Sequence, residues 1–265
     1  MSGTGTEVLI HPGFHKTGTT SAQYLCAHHR ARLAPHLAML LPRDLKEVAA
    51  ATLNYSKNRN TLVLMDVAEA MIAALAPFAA EPPRRLLISS EALSGIIPGR
   101  RDVGDYSALD AILPIVIEAV RECLPDARIR VALTTRATDS FLWSLWRHNI
   151  AGSPLTEDFD SYRRAYEGLD LAEEAARIAA LIAPVPVTPL PLEETAQDRL
   201  GPAGPLLRET GLSANILALL DPEPPRNAGL TEEQAQALLA LNRADLPRPD
   251  KRAQKKALLK SWDKA

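Results

Sequence analysis

Aromatic side chains are scarce in this chain, at 5% of its residues, and cysteine occurs only twice, at Cys26 and Cys123. Two thiols in apolar helical contexts exclude a disulfide framework and imply buried free thiols in a reducing compartment. The shortage of aromatics removes any clear stacking platform for a sugar or a phenol. No uninterrupted apolar run approaches the roughly 20 residues of a membrane span, and the N-terminus lacks a basic stretch followed by an apolar one. Basic and acidic residues nearly cancel, 30 against 32, so a large nucleic-acid surface is not implied. The expectation is a cytoplasmic protein with no nucleic-acid partner and no transmembrane segment. Its 265 residues suffice for a single α/β domain with a full core over 1–265, of which 221–265 reads as closing C-terminal helices.

Short apolar runs that read as buried parallel strands occur at Glu7 to His11, Arg85 to Ser89, Ile129 to Thr135 and Val185 to Pro189, with a shorter piece at Ala38 to Leu41. Helical patterns lie between them at Thr19 to Leu33, Asp66 to Ala80, Ala108 to Cys123, Thr138 to Ala151 and Leu171 to Ile182. This alternation predicts a three-layer α/β domain of the P-loop type, a central parallel sheet flanked by helices. Pro42 to Asn60 and Gly152 to Asp160 are weakly patterned and read either as lids or acceptor walls over the strand ends or as plain connections. After Pro184 the chain is Pro-rich, then closes with helical segments near Thr231 to Arg243 and Asp250 to Trp262. Thr231-Glu-Glu-Gln234 is a capping-box start. The last segment is basic, with Leu258 and Trp262 one turn apart as an apolar stripe to pack on the domain.

What the chain does have is a loop suited to a phosphate ester, Val8-Leu-Ile-His-Pro-Gly-Phe-His-Lys-Thr-Gly-Thr-Thr-Ser21, following the first strand. Gly13 and Gly18 keep the glycine spacing of G-x-x-x-x-G-K-[ST], but Thr19 fills the lysine slot, Thr20 fills the hydroxyl slot and Lys16 lies inside the loop. The amides of Lys16 to Thr20 at the mouth of a helix form an anion nest reinforced by the helix dipole. Lys16 then approaches the anion from the loop side, where a bridging or leaving oxygen sits. A second strand-to-helix joint, Arg128-Ile-Arg-Val-Ala-Leu-Thr-Thr-Arg136, places Arg136 at the carboxyl end of a strand, where open α/β sheets bind ligands. Ser144 follows eight residues later, on the same helix face as Ser140. Taken alone, Arg136 reads as half of a surface ion pair; coupled to the loop at Lys16, it reads as an anion ligand.

Phe14-His-Lys-Thr-Gly-Thr-Thr20 resembles the 5′-phosphosulfate loop of the PAPS-dependent sulfotransferases, nearest the bacterial branch that carries H-K-T-G-T-T. The Arg136 and Ser144 pair resembles that family's 3′-phosphate motif. The resemblance implies transfer of a sulfuryl group from the cosubstrate PAPS to an acceptor hydroxyl or amine, of carbohydrate, lipid or another class, with release of PAP and no required metal. It assigns the cosubstrate to Lys16, Thr17, Gly18, Thr19, Thr20, Ser21, Arg136 and Ser144, with the hydroxyls of Thr19 and Thr20 on the 5′-phosphate and Lys16 on the bridging oxygen. Arg226 and Gly229 resemble a late element that closes over the 3′-phosphate, at altered spacing, and make Arg226 a further candidate. The competing classes are a P-loop kinase, which needs a true Walker lysine and a metal carboxylate, and a non-catalytic PAP-binding protein.

A sulfuryl transferase also needs a base for its acceptor. Glu91, in Ser89-Ser-Glu91 at the end of a strand, reads either as a base whose pKa is raised by apolar surroundings or as a cap on the following turn. His15, beside Lys16, is the rival base. No metal site is expected; in particular, Cys26, His29 and His36 match no zinc ligand spacing.

Overall fold

The computed structural model describes residues 5–224 and 229–262. In chain order, β1 (Glu7–His11) leads to α1 (Thr19–His28) and α2 (Arg30–Leu33), and β2 (Ala38–Leu40) leads to α3 (Lys46–Asn58) and α4 (Val63–Ala80). β3 (Arg85–Ser89) passes through a short 3₁₀ helix, Glu91–Ser94, to α5 (Leu109–Cys123). β4 (Arg128–Thr135) is followed by α6 (Thr138–Gly152), α7 (Phe159–Ala165) and α8 (Leu171–Leu181). After β5 (Val187–Pro191) come α9 (Leu192–Thr195), α10 (Ala203–Glu209), α11 (Ala214–Ala218), α12 (Glu232–Arg243) and α13 (Arg248–Trp262).

Among the described residues the strands form one parallel sheet in the order β2-β3-β1-β4-β5. Helices flank the sheet, so the fold is the three-layer α/β arrangement. β1 is central, with Leu9 in register with Leu87 on one side and Arg130 on the other. Strands this short survive because both faces are covered: Val8, Leu9, Ile10, Leu86, Leu87, Ile88, Val131 and Leu133 are all buried. On one side Leu25, Cys26 and Leu33 join Leu206, Leu207 and Leu220 in a single apolar cluster. Elsewhere α4 packs between α3 and α5.

Several sequence expectations shift. The helix foreseen from Thr19 to Leu33 breaks at His29, which takes φ −92° and ψ 15° where its ring bonds the carbonyl of Asp221. β5 begins two residues later than expected; Pro189 and Pro191 lie within it, which an edge strand tolerates because its unpaired side needs no N–H. Residues 46–58, expected as a lid or connection, form α3. Its buried face is Val48, Thr52, Tyr55 and Ser56, and the two hydroxyl residues hide the apolar period. Cys26 is fully buried, which pushes its thiol up to about 12, whereas Cys123 is only half-buried.

The described residues within Met1–Ala137 and Leu169–Arg226 form one compact unit, and those within Thr138–Gly168 and Asn227–Ala265 form a second. In the second, Leu142, Leu145 and Trp146 of α6 and Leu238 and Leu239 of α12 are buried, and Trp143 stacks on Trp146 while Phe159 meets Trp143 edge-on. Thr231 caps α12 through the foreseen capping box. No residue of α13 is fully buried. Its inner face combines Leu258 and Trp262 with Lys255, whose ammonium donates to the carbonyls of Ile150 and Ser153 at the end of α6.

α4 is long and apolar enough, by length and composition, to cross a membrane, which the search for uninterrupted apolar runs did not anticipate. Val67, Met71 and Leu75 are nonetheless a buried stripe at helical spacing, whereas Met65 is 61% exposed. If α4 is a core helix of the folded unit, Met71→Ala costs about 2–5 kcal/mol in chemical denaturation and Met65→Ala less than about 0.5 kcal/mol. Equal, small effects at both positions would contradict that placement.

Candidate functional site

The loop between β1 and α1 leaves the carboxyl edge of the sheet at its centre. Gly13 (φ 93°), Lys16 (φ 63°) and Gly18 (φ 88°) are all left-handed. At Gly18 a Cβ would lie 2.7 Å from Cγ of Pro202, so glycine is required there by space as well as by conformation. Lys16 has no such exemption: a left-handed non-glycine residue costs about 1–2 kcal/mol, which the surrounding contacts must offset.

Those contacts are hydroxyl bonds beneath the loop. Thr17 Oγ1 lies 2.6 Å from both the Phe14 carbonyl oxygen and Oγ1 of Thr134 on β4, and Thr19 Oγ1 donates to the same carbonyl at 2.9 Å. All three hydroxyl residues are buried. The Phe14 amide donates to the Thr134 carbonyl, and Arg136 Nη1 donates to the Lys16 carbonyl at 3.1 Å. The loop is therefore held from its inner side, along its length, and its remaining freedom lies on the outer side.

This corrects the expectation for Thr19. Its hydroxyl faces inward and is spent on Phe14, so only its amide remains for a phosphate. Thr17 is likewise a brace. Thr20 is exposed, and its hydroxyl is near enough to Glu91 to favour the ionised carboxylate. Ser21 lines a cleft of about 190 Å³ with Tyr24, Pro202 and Glu223.

Glu91 begins the 3₁₀ helix directly after β3, and the β3 end is tied to the loop's start: the Ser90 amide donates to the His11 carbonyl and Ser94 Oγ to the Pro12 carbonyl. A Cβ on Gly13 would stand 3.3 Å from Cβ of Glu91, so loop and carboxyl are close neighbours. Burial pushes the Glu91 carboxyl up from the usual carboxylate range, partly offset by the Lys16 ammonium and the Thr20 hydroxyl. Both sequence alternatives for Glu91, the base and the cap, meet this geometry.

His15 stands with its ring near-parallel to Tyr106, 5.9 Å between centroids, and Nδ1 3.4 Å from the phenolic oxygen. Tyr106 is fully buried and also touches the Phe14 ring at 4.6 Å. Tyr106 and Thr134 escape sequence reading. Tyr106 lies in an unpatterned stretch, but Thr134 carries a signal, since Thr134-x-Arg136 at a strand end sends both side chains to the same loop. Deeper, His11 Nδ1 is 2.8 Å from Ser89 Oγ, which also accepts from Gln23. Burial lowers His11 to about 4, so it is neutral at pH 7 and its Nε2 has no hydrogen-bond partner among the described residues.

The structure thus brings together Lys16, Thr17, Gly18, Thr19, Thr20, His15, Glu91 and Arg136. Ser144 belongs to the second unit, on α6, where it is half-exposed. Arg226 lies outside the described residues. Gly229 packs against Arg147 in the second unit: a Cβ at Gly229 would lie 3.1 Å from Nη2 of that guanidinium.

No protein-family model matches the chain, and no curated protein matches it. Solved structures do match. One is a crystal structure of a sulfotransferase from Alicyclobacillus acidocaldarius, at 15% identity and a TM-score of 0.47, covering 89% of this chain and 92% of that one.

The raised Glu91 pKa has a thermodynamic consequence. The folded protein holds this proton more tightly than the unfolded chain, so the stability associated with Glu91 is greatest at low pH and declines as pH rises from the ordinary glutamate value through the raised one. Glu91→Gln removes that dependence. Its melting temperature is expected to equal or exceed the parent's at pH 7, with the difference narrowing toward pH 4; a clear loss of stability at pH 7 would assign Glu91 a capping role instead.

Proposed function

We propose that this protein is a PAPS-dependent sulfotransferase, moving a sulfuryl group to an acceptor hydroxyl or amine. The observation that carries the reading is the placement of Lys16. It stands left-handed inside a braced anion loop, its ammonium acting on Glu91 and its carbonyl held by Arg136. A Walker-type kinase has its lysine where Thr19 stands, and here that residue is a buried brace. The hydroxyl that would serve Mg²⁺, Thr20, lies beside Glu91 and lowers its pKa. The donor set is one ammonium, one guanidinium and a run of amides. It fits a singly bridged phosphosulfate better than a metal-bound triphosphate.

When bound, PAPS supplies an activated sulfuryl group on its 5′-phosphate. The amides of Lys16 to Thr20 hold that phosphate at the N-terminus of α1. Lys16 stabilises the charge that develops on the bridging oxygen as the S–O bond breaks. Glu91, ionised, accepts the acceptor's proton as the new bond to sulfur forms on the opposite side. Burial raises its basicity for this purpose. His15, held by Tyr106, serves as the alternative proton acceptor. Arg136 binds the 3′-phosphate, a role that the resemblance also gives to Ser144.

Variants divide these roles. Lys16→Ala is expected to lower turnover by about 10²–10³ with a smaller effect on PAP affinity, since its charge counts most in the transition state. Arg136→Ala should chiefly weaken PAP binding, by about 1.5–3 kcal/mol. Glu91→Gln should reduce turnover by about 10²–10⁴ while binding PAP as the parent does. The measurements are PAP titration and steady-state sulfuryl transfer in a mass-shift screen of acceptors. If Lys16→Ala and Arg136→Ala both bound PAP like the parent, the site would be misplaced; a fully active Glu91→Gln would pass the base role to His15.

A further inference from the structure

We propose that His28, His29 and Glu223 form a binding site for a divalent transition-metal ion of the zinc class. One ligand atom from each of the three lies within 4.8 Å of the others. His28 Nδ1 is 3.5 Å from Glu223 Oε1. Two ligands at about 2.1 Å from a tetrahedral zinc stand roughly 3.4 Å apart, so this pair already has the spacing of a coordination edge.

The arrangement around His29 distinguishes the cluster from a chance ion pair. His29 is buried, and its Nε2 lies 2.9 Å from the carbonyl oxygen of Asp221. A carbonyl only accepts, so Nε2 carries the hydrogen and Nδ1 carries the lone pair. A backbone carbonyl fixing the tautomer of the ligating ring is the usual support of a metal-bound histidine. The chain around that carbonyl is held as well: Arg32 donates to the Leu219 carbonyl and sits 3.5 Å from the Asp221 carboxylate, while Arg199 donates to the carbonyls of Leu217 and Leu220. The segment that leads to Glu223 is thus tied to α2 and to Arg199.

Two imidazoles and one carboxylate select zinc, nickel or copper over magnesium and calcium. The site lies at the carboxyl end of α1, where the helix dipole favours a cation. It is about 15 Å along the helix from the loop that α1 follows. The ion would clamp α1 to the 219–223 segment and leave a fourth position for water, with His28 the exposed ligand and Glu223 the partly buried one. It takes no part in the proposed transfer reaction.

The test uses the full-length protein, freed of any affinity tag and stripped with chelator. Zinc chloride is titrated by calorimetry and thermal shift, cobalt(II) by its visible ligand-field bands, and magnesium serves as control. The expected result is one zinc per chain, a rise in melting temperature that EDTA reverses, and no response to magnesium. Both His28→Ala and Glu223→Gln alter partly exposed side chains that can be changed without emptying the core, and each should weaken zinc binding roughly tenfold to a hundredfold. Absence of saturable binding at one ion per chain would overturn the proposal and leave His28 and Glu223 a simple ion pair. Zinc binding undiminished in both variants would overturn it equally.

Discussion

The hydroxyl of Thr134 is the interaction on which the rest of the site depends. A loop that puts Lys16 into left-handed backbone can persist only if something holds it there, and the tie is the bond between Thr134 and Thr17, backed by Thr19 and the Phe14 carbonyl. These groups are buried, so losing one partner would leave others unsatisfied away from water, which costs more than the bond itself contributes. The loop is therefore preorganised by the interior of the sheet.

The second constraint is electrostatic. Glu91 and Lys16 each influence what the other can do: burial favours the neutral carboxyl, and the nearby ammonium favours the ionised one. The balance leaves the carboxyl's pKa above the ordinary glutamate value, the direction that the proposed general-base role calls for. His11, beneath the same loop, shows the opposite outcome. With full burial it stays neutral, bonded to Ser89 across the ends of β1 and β3.

Much of this was legible in the chain because the sheet is built from short apolar runs and the loop from residues with narrow conformational meaning. β1 and β3 agree residue for residue with the sequence reading, and Gly13, Lys16, Gly18 and Arg136 fall at the strand ends where the motifs put them. What escaped was carried by long-range contacts. α3 was missed because Thr52 and Ser56 occupy its buried face, where Ser56 Oγ accepts from the Ile96 amide. The buried bond of Thr17 runs to Thr134, more than a hundred residues away, and the histidine pair at the end of α1 gains its carboxylate only when the 219–223 segment folds back. No local pattern encodes such pairings.

The central claim is that the loop holds a phosphosulfate donor and not a metal-bound nucleoside triphosphate, and ligand choice tests it most directly. Thermal-shift titration with PAP in EDTA, beside ATP with Mg²⁺, separates the two without knowledge of the acceptor. The account predicts a saturable rise in melting temperature with PAP and little response to ATP. Tight, Mg²⁺-dependent stabilisation by ATP with indifference to PAP would contradict it.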